Sequence, residues 1–206
     1  MSQYLKNFSP ATRCRSGRNP SQRYFELRSF MQLLQNKHVV SYLEIGARHG
    51  DTFYHIMRTL PTGSLGVAVD FPGGKWGTTK SQMHLVHAST ELRQLHYDTH
   101  VIFGDSTDPT IIEQVRDFGK FDAIFIDGDH RYAGVKADWE NYASQARLLV
   151  AFHDIDGHGQ FERVANPSPV EVPKLWEELK AEYPDRSIEF IDKEHRGMGI
   201  GVVMMP

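Results

Sequence analysis

The 206-residue sequence has little cysteine and no long apolar run. Its single cysteine, Cys14, cannot form an internal disulfide. Its apolar runs are far shorter than the ~20 residues that a membrane-spanning helix needs, and the first twenty residues lack the apolar core of a signal peptide. We therefore expect a protein without a membrane segment, located in the reducing cytoplasm. The length suits one α/β domain with a substantial core.

Acidic side chains are scarce at the beginning of the chain. The first forty residues contain seven basic side chains and one acid, Glu26, whereas the whole chain has a formal net charge of −3. Such a segment can contact an anionic substrate, a nucleic acid or an acidic neighbouring subunit. Charge runs are most often simply solvated, and no aromatic-rich nucleic-acid motif accompanies this one. We interpret residues 1–20 as a basic arm that is solvated or docked on the protein. We expect no nucleic-acid partner. Both a monomer and a homo-oligomer are compatible with the sequence.

From residue 21 onward, near-continuous apolar segments alternate with amphipathic ones, a pattern typical of a parallel sheet with helices on both faces. The first five predicted strands are 39–46, 64–70, 100–105, 121–127 and 147–154. Two more, 187–192 and 199–205, are joined by only six residues, too few for a crossover helix, so they should pair as an antiparallel hairpin. The sequence therefore predicts one Rossmann-like α/β domain over residues 21–206. Its sheet has seven strands, is mostly parallel and ends in the hairpin.

Glycines and acids follow the first three predicted strands, where ligands of such sheets bind. Gly46 and Gly50 in GARHG permit a tight turn and a helix that starts against a ligand. Asp70 ends the second strand, where a carboxylate can accept both ribose hydroxyls. The loop lacks the additional glycine of a dinucleotide fingerprint, so a nucleoside without a pyrophosphate suits it better. After the third strand, Asp105 can accept an adenine amino group with Ser106 beside it, but both can equally cap the next helix.

The segment FDAIFIDGDHRYAGVKADW places Asp127, Asp129 and His130 at the junction between a buried strand and a helix. Such groups are costly there unless a metal, a proton transfer or a hydrogen bond uses them. A plain strand-to-helix turn would use Asp129 as the helix cap and bond His130 to backbone carbonyls. However, His153 and Asp154 end the next strand, and this second pair favours a functional site. Within that site, Asp129 is still predicted to cap the helix.

These motifs resemble the class I S-adenosylmethionine-dependent methyltransferases. The segments that carry the resemblance are LEIGARHGDTF, VAVD, FGDS, FDAIFIDGDHRYAGVKADWENY and AFHD. More narrowly, the chain resembles the metal-dependent O-methyltransferase branch that contains macrocin-type and mycinamicin-type sugar methyltransferases and cephalosporin hydroxylase-like proteins. The resemblance extends from about Tyr42 to Met205. It implies a seven-stranded sheet ending in an antiparallel hairpin, as the strand pattern independently predicts.

The resemblance also implies roles for single residues on the cofactor side. It makes Glu44, Gly46 and Gly50 the loop that binds S-adenosylmethionine, Asp70 the ribose carboxylate and Asp105 the adenine contact. Ser106 lies next to Asp105 and is included in the predicted cofactor site.

On the acceptor side, the resemblance makes Asp127, His153 and Asp154 ligands of a divalent metal and His130 the general base. Several relatives carry two acids where this chain has His153 and Asp154. With one carboxylate fewer, the predicted site suits Mg²⁺ less well. Mn²⁺, which tolerates an imidazole ligand, becomes an alternative.

The predicted function is metal-assisted transfer of a methyl group to a hydroxyl of a small molecule, such as a sugar or a glycosylated natural product. A hydroxyl is a poor nucleophile, so a cation that stabilises the alkoxide and a base that removes the proton both help. Two polar loops, residues 71–82 with Trp76 and residues 157–173, are predicted to flank the adenine and the acceptor.

Two alternatives stay open. An NAD-dependent oxidoreductase could use a similar sheet, although the missing glycine and the terminal hairpin count against it. A non-catalytic binding or assembly protein could retain the fold, although the presence of Asp127, His130 and Asp154 counts against that role.

Overall fold

The computed structural model describes residues 2–10, 20–72, 78–156, 170–194 and 197–206. Trp76, the predicted acceptor loop from 157 to 169, and Arg13, Arg15 and Arg18 of the basic arm lie outside these ranges. Within them, none of the helices has both the length and the apolar character that crossing a membrane requires.

A seven-stranded sheet forms the centre of the domain. Its strands are β1 (Ser41–Ile45), β2 (Leu65–Asp70), β3 (Asp98–Phe103), β4 (Phe121–Ile126), β5 (Ala146–Asp156), β6 (Ser187–Phe190) and β7 (Met198–Met204). They are arranged in the order β3-β2-β1-β4-β5-β7-β6. The first five strands pair in parallel, and β7 pairs antiparallel with both β5 and β6. The predicted mostly parallel sheet with a terminal hairpin is confirmed.

Helices cover both faces of this sheet, as predicted. They are α1 (Gln3–Asn7), α2 (Tyr24–Asn36), α3 (Asp51–Met57), α4 (Thr79–Gln94), α5 (Pro109–Arg116), α6 (Tyr132–Tyr142) and α7 (Val172–Glu182). Two short 3₁₀ helices, Ala143–Gln145 and Pro184–Arg186, follow α6 and α7. Buried side chains of α1 to α4 belong to one apolar cluster and those of α5 to α7 to another.

Strand β4 shows why the central strands are mostly apolar. Successive side chains of a strand point to opposite faces, and all six residues of β4 are buried. Ala123 and Phe125 join the first apolar cluster, while Ile124 and Ile126 join the second. Burying a side chain the size of Phe or Ile contributes about 1.5–3 kcal/mol. Both faces of this strand therefore stabilise the domain. Its one charged residue, Asp122, accepts hydrogen bonds from the backbone N–H groups of Val40 and Ser41.

The beginning of the chain packs into the domain. Ser2 caps α1, and Leu5 and Phe8 are buried in the first apolar cluster. The Tyr24 hydroxyl donates a hydrogen bond to the Phe8 carbonyl oxygen at 3.0 Å. Residues 2–10 thus pack against the domain through Leu5 and Phe8, while Lys6, their basic side chain, is exposed to solvent.

The strand order opens a crevice between β1 and β4. The chain runs from β1 outward to β3 and then returns to β4 on the other side of β1. Loops that follow β1 and β4 therefore leave the sheet toward opposite faces, which creates a binding crevice at their carboxyl ends. A cleft of about 890 Å³ lies at this point, lined by residues that follow the first five strands.

Candidate active site

The loop after β1 lies tightly against the ends of β2 and β4. Gly46 has a φ of 88° and donates its backbone N–H to the Val69 carbonyl oxygen at 2.8 Å. A Cβ at this position would overlap the backbone carbonyl of Asp127. Only glycine combines this left-handed conformation with such a close approach. Gly46 therefore brings the loop directly against the junction after β4.

Gly50 has a different role from Gly46. It adopts a φ of 78° as the residue preceding α3, and a Cβ there would meet Leu85 and Ala88 of α4. Gly50 is not among the residues that line the cleft. Its contribution is to the packing of α3 against α4, so any effect on a cofactor would be indirect.

Asp70 presents an unsatisfied carboxylate oxygen at the end of β2. Its Oδ1 accepts the Arg48 backbone N–H at 2.8 Å, while its Oδ2 is buried and accepts no hydrogen bond from the described residues. Burial raises the pKa of this carboxyl. A buried oxygen without a donor is costly, and Asp70 lines the cleft. Ribose hydroxyls would supply the missing donors.

Glu44 is a second buried carboxyl in the cleft wall, with 1% of its surface exposed. The Tyr42 hydroxyl donates a hydrogen bond to its Oε2 at 2.5 Å. Burial raises the pKa of Glu44 to about 8, with a further contribution from the nearby Asp127 carboxylate. A cationic group entering the cleft would favour the ionised form of Glu44.

Asp105 and Ser106 line the cleft at the end of β3. Asp105 Oδ1 accepts the backbone N–H and the hydroxyl of Thr107 at 2.9 and 2.7 Å. The N-cap of α5 is Asp108, and Ser106 instead donates to Asp138 Oδ1 at 2.6 Å. The alternative in which Asp105 and Ser106 cap the helix is therefore wrong, because Asp108 fills that position.

Acid and imidazole groups from the ends of β4 and β5 meet in the same cleft. Asp127, His153 and Asp154 offer ligand atoms that all lie within 4.8 Å of one another. His153 Nδ1 is 3.1 Å from Asp127 Oδ1. The two ring nitrogens of His130 each lie 3.2 Å from a carboxylate oxygen, Nε2 from Asp127 Oδ1 and Nδ1 from Asp154 Oδ2. The four residues predicted for the metal and the base form one cluster.

A bulge in β5 explains how the neighbours His153 and Asp154 reach the same cluster. In a regular strand their side chains would point to opposite faces. The pairing of β5 with β7 shifts register between His153 and Asp156, and Asp154 has a φ of 61°. A bulge redirects side chains locally, and a non-glycine residue in the left-handed region is strained in a way that is common at functional sites.

The cluster is strongly coupled by charge. Burial would raise the pKa of Asp127, but His153 and His130 hold it well below its usual range. Burial would lower the pKa of His153, but Asp127 and Asp154 raise it to about 9. Asp154 Oδ1 is buried and accepts no hydrogen bond from the described residues. Two carboxylates and an imidazole with an unsatisfied oxygen between them are a donor set that fits a divalent cation.

This coupling predicts how the stability of the metal-free protein depends on pH. A histidine whose pKa rises on folding stabilises the protein fully below its unfolded pKa, and this contribution is lost as pH rises through the folded value. The free energy of unfolding in EDTA should therefore decrease between pH 6.5 and about 9 as His153 loses its proton. Urea denaturation across this range measures the slope, which should be shallower in Asp127→Asn. Equal slopes in both proteins would contradict the pairing.

The junction after β4 differs from the prediction in one respect, because Asp129 does not cap α6. The N-cap residue is Arg131, which makes no side-chain capping bond. Asp129 instead accepts hydrogen bonds from the backbone and guanidinium of Arg131. The first N–H of the helix, that of Tyr132, donates to Glu171 Oε2 at 2.9 Å. The acceptor comes from 39 residues away, so no local pattern could indicate it.

Two further polar residues of the cleft had no predicted role. Gln22, in the segment before α2, is 6% exposed and donates its Nε2 to Asp127 Oδ2 at 2.8 Å. Asp138, on α6, is 1% exposed, and burial raises its pKa to about 7. Neither residue stands at a strand end, which was the signal that identified the others. A polar residue buried by tertiary contacts leaves no periodic trace in the sequence.

The fold and the cleft together define a Rossmann-like domain with an acid–imidazole cluster at its switch point. A family model described as a methyltransferase domain matches residues 43–155, more than half of the chain. The protein belongs to this family of methyltransferases, as predicted, and the family favours methyl transfer over the NAD-dependent alternative. A comparison with curated proteins gives no match.

Two solved structures illustrate the shared fold. An O-methyltransferase from Bacillus cereus, crystallised with SAH, is 16% identical, with a TM-score of 0.65 over 100% of this chain and 92% of that one. The O-methyltransferase TomG from Streptomyces achromogenes, involved in tomaymycin synthesis and crystallised with SAM, is 15% identical. Its TM-score is 0.66 over 90% of this chain and 82% of its own.

Proposed function

We propose that this protein is an S-adenosylmethionine-dependent O-methyltransferase that uses a divalent metal. Its acceptor would be a hydroxyl of a small molecule, such as a sugar or a glycosylated natural product. The observation that carries the proposal is that one cleft contains both the Gly46 turn and the cluster of Asp127, His153 and Asp154. A nucleoside donor and a metal-bound hydroxyl would thereby be brought into reach of each other.

On the donor side, several polar groups of the cleft would contact the nucleoside. The free Oδ2 of Asp70 would accept from the ribose. Asp105 and Ser106 line the same cleft and would contact the adenine edge. The buried Glu44 would balance the positive charge of the methionine ammonium or the sulfonium, which lowers the cost of bringing a cation out of water. The two O-methyltransferases crystallised with SAH and SAM, whose fold this chain shares, support the choice of cofactor.

On the acceptor side, Asp127, His153 and Asp154 would hold the metal. A bound Mg²⁺ or Mn²⁺ would lower the proton affinity of the acceptor hydroxyl and stabilise the alkoxide. The single imidazole in the donor set makes Mn²⁺ at least as suitable as Mg²⁺.

His130 would take the proton of the acceptor hydroxyl. Its ring lies between the carboxylates of Asp127 and Asp154, so an imidazolium formed there is stabilised, and these carboxylates raise its pKa despite burial. The cofactor would supply the methyl group: as the acceptor oxygen bonded to the methyl carbon, the carbon–sulfur bond would break and His130 would accept the hydroxyl proton. Most of the rate gain would come from holding oxygen, carbon and sulfur in line within the cleft.

Calorimetry with S-adenosylmethionine, NAD⁺ and Mn²⁺ tests this function. We expect the protein to bind S-adenosylmethionine and Mn²⁺ and not NAD⁺. Incubation with methyl-labelled S-adenosylmethionine and a panel of sugars and glycosides, read by mass spectrometry, should then yield a labelled ether that EDTA suppresses. Binding of neither nucleotide would favour the assembly role instead. Labelled product that forms equally well in EDTA would contradict the use of a metal. The methyltransferase activity itself would still be supported.

A further inference from the structure

Gln22 connects the cofactor side of the cleft to the candidate metal site. It precedes α2 in the chain, yet its side chain reaches the end of β4, where Nε2 donates to Asp127 Oδ2 at 2.8 Å. Its Oε1 accepts a hydrogen bond from the Thr52 hydroxyl on α3. Both residues are buried, with 6% and 7% of their surface exposed. A long polar side chain in such a place must have its hydrogen bonds satisfied, and here both ends of the amide are.

These partners determine which way the amide points. Asp127 Oδ2 can only accept, so it must face the NH₂ end of Gln22. The Thr52 hydroxyl completes the arrangement by donating to the carbonyl end. The amide is therefore oriented by its two partners, and so is the carboxylate that it contacts. Ordered in this way, Gln22 is a rigid donor aimed at one oxygen of Asp127.

The two oxygens of Asp127 have separate surroundings as a result. Oδ2 is held by Gln22, whereas Oδ1 lies 3.1 Å from His153 Nδ1 and 3.2 Å from His130 Nε2. Without the amide, the carboxylate could rotate about its Cβ–Cγ bond, and Oδ1 would lose its direction toward the cluster. Groups that hydrogen-bond a metal ligand commonly tune metal affinity in this manner.

We propose that Gln22 is a positioning residue of the metal site, which holds Oδ2 of Asp127 so that Oδ1 stays directed at His153 and Asp154. This role rests on the proposed function. It also makes the segment before α2, outside the matched methyltransferase region of residues 43–155, a part of the site. Thr52 acts one step further out, because it orients Gln22.

Mn²⁺ binding to the purified full-length protein, followed by the electron paramagnetic resonance of the free ion, tests this role without any turnover. Gln22→Met retains the length of the side chain but has no N–H. Its Mn²⁺ affinity should fall by about 10- to 100-fold, the range found when a group supporting a metal ligand is lost. Thr52→Val leaves Gln22 in place and should cause a smaller loss. SAH affinity, measured in EDTA, should stay near that of the wild type in both variants.

Gln32→Met is the matched control. This glutamine also donates to a side chain, Asn36 Oδ1 at 3.0 Å, but on the surface of α2 and away from the cleft. Its Mn²⁺ affinity should equal that of the wild type. Circular dichroism establishes that each variant is folded at the temperature of the measurement. If Gln22→Met does not fold, the Mn²⁺ affinity of Thr52→Val decides whether Gln22 supports the metal site.

Three outcomes would overturn the inference. An unchanged Mn²⁺ affinity in Gln22→Met, or in Thr52→Val where it decides, would reduce Gln22 to a packing residue while leaving the proposed function intact. An equal loss in Gln32→Met would show a general effect of the substitution. A wild-type protein that binds no Mn²⁺ would overturn the metal-assisted function, and this role with it.

Discussion

Asp127→Asn should lose metal-stimulated methyl transfer while retaining the affinity for SAH. Asp127 is the residue on which the cluster converges, because Gln22, His130 and His153 all contact its carboxylate. Asparagine retains the shape but removes the charge that a cation needs. We expect the rate with saturating cofactor to fall by at least about 10²-fold, the effect of losing a group that stabilises charge in a transition state. Calorimetry with SAH and initial rates over a range of Mn²⁺ concentrations measure the two quantities.

The matched control for this variant is Asp108→Asn. Asp108 caps α5 outside the cleft, and asparagine caps a helix about as well as aspartate. The control should therefore have wild-type rates and a wild-type response to Mn²⁺. Undiminished, metal-stimulated turnover in Asp127→Asn would remove Asp127 from the metal site.

His130→Ala should lower turnover by roughly 10²- to 10⁴-fold, the range for a lost general base. In the wild type, the rate should rise with pH as His130 loses its proton, because only the neutral imidazole can accept the proton of the hydroxyl. In the metal-free protein the nearby carboxylates raise the pKa of His130 above its ordinary value of 6.5. Profiles of the rate against pH for both proteins should show that the variant lacks this limb.

His100→Ala provides the control for His130. His100 also contacts an aspartate, Asp98 at 2.9 Å, but on the edge strand β3 and outside the cleft. Its removal should leave both the rate and the pH profile unchanged. If His130→Ala turned over like the wild type, His130 would be a structural residue at the junction after β4.

Much of the site could be predicted because it stands at strand ends. Buried parallel strands are mostly apolar, so a charged residue at the end of such a strand is conspicuous, and Asp70 and Asp127 were identified in this way. The bulge that brings His153 and Asp154 together was not predictable, since it depends on how β5 pairs with β7. The capping of α6 by Glu171 and the contact of Gln22 with Asp127 were missed because each joins segments that are distant in the sequence.

The sequence by itself determined the order of strands and helices, the terminal hairpin and the residues at the mouth of the sheet. These features follow from local periodicity and from connection lengths, which a single chain displays directly. Only the tertiary structure decided which of those residues come together in one cluster and which residues orient them. Such contacts join segments up to 105 residues apart, as Gln22 and Asp127 show, and they arise from packing that leaves no periodic pattern in the chain.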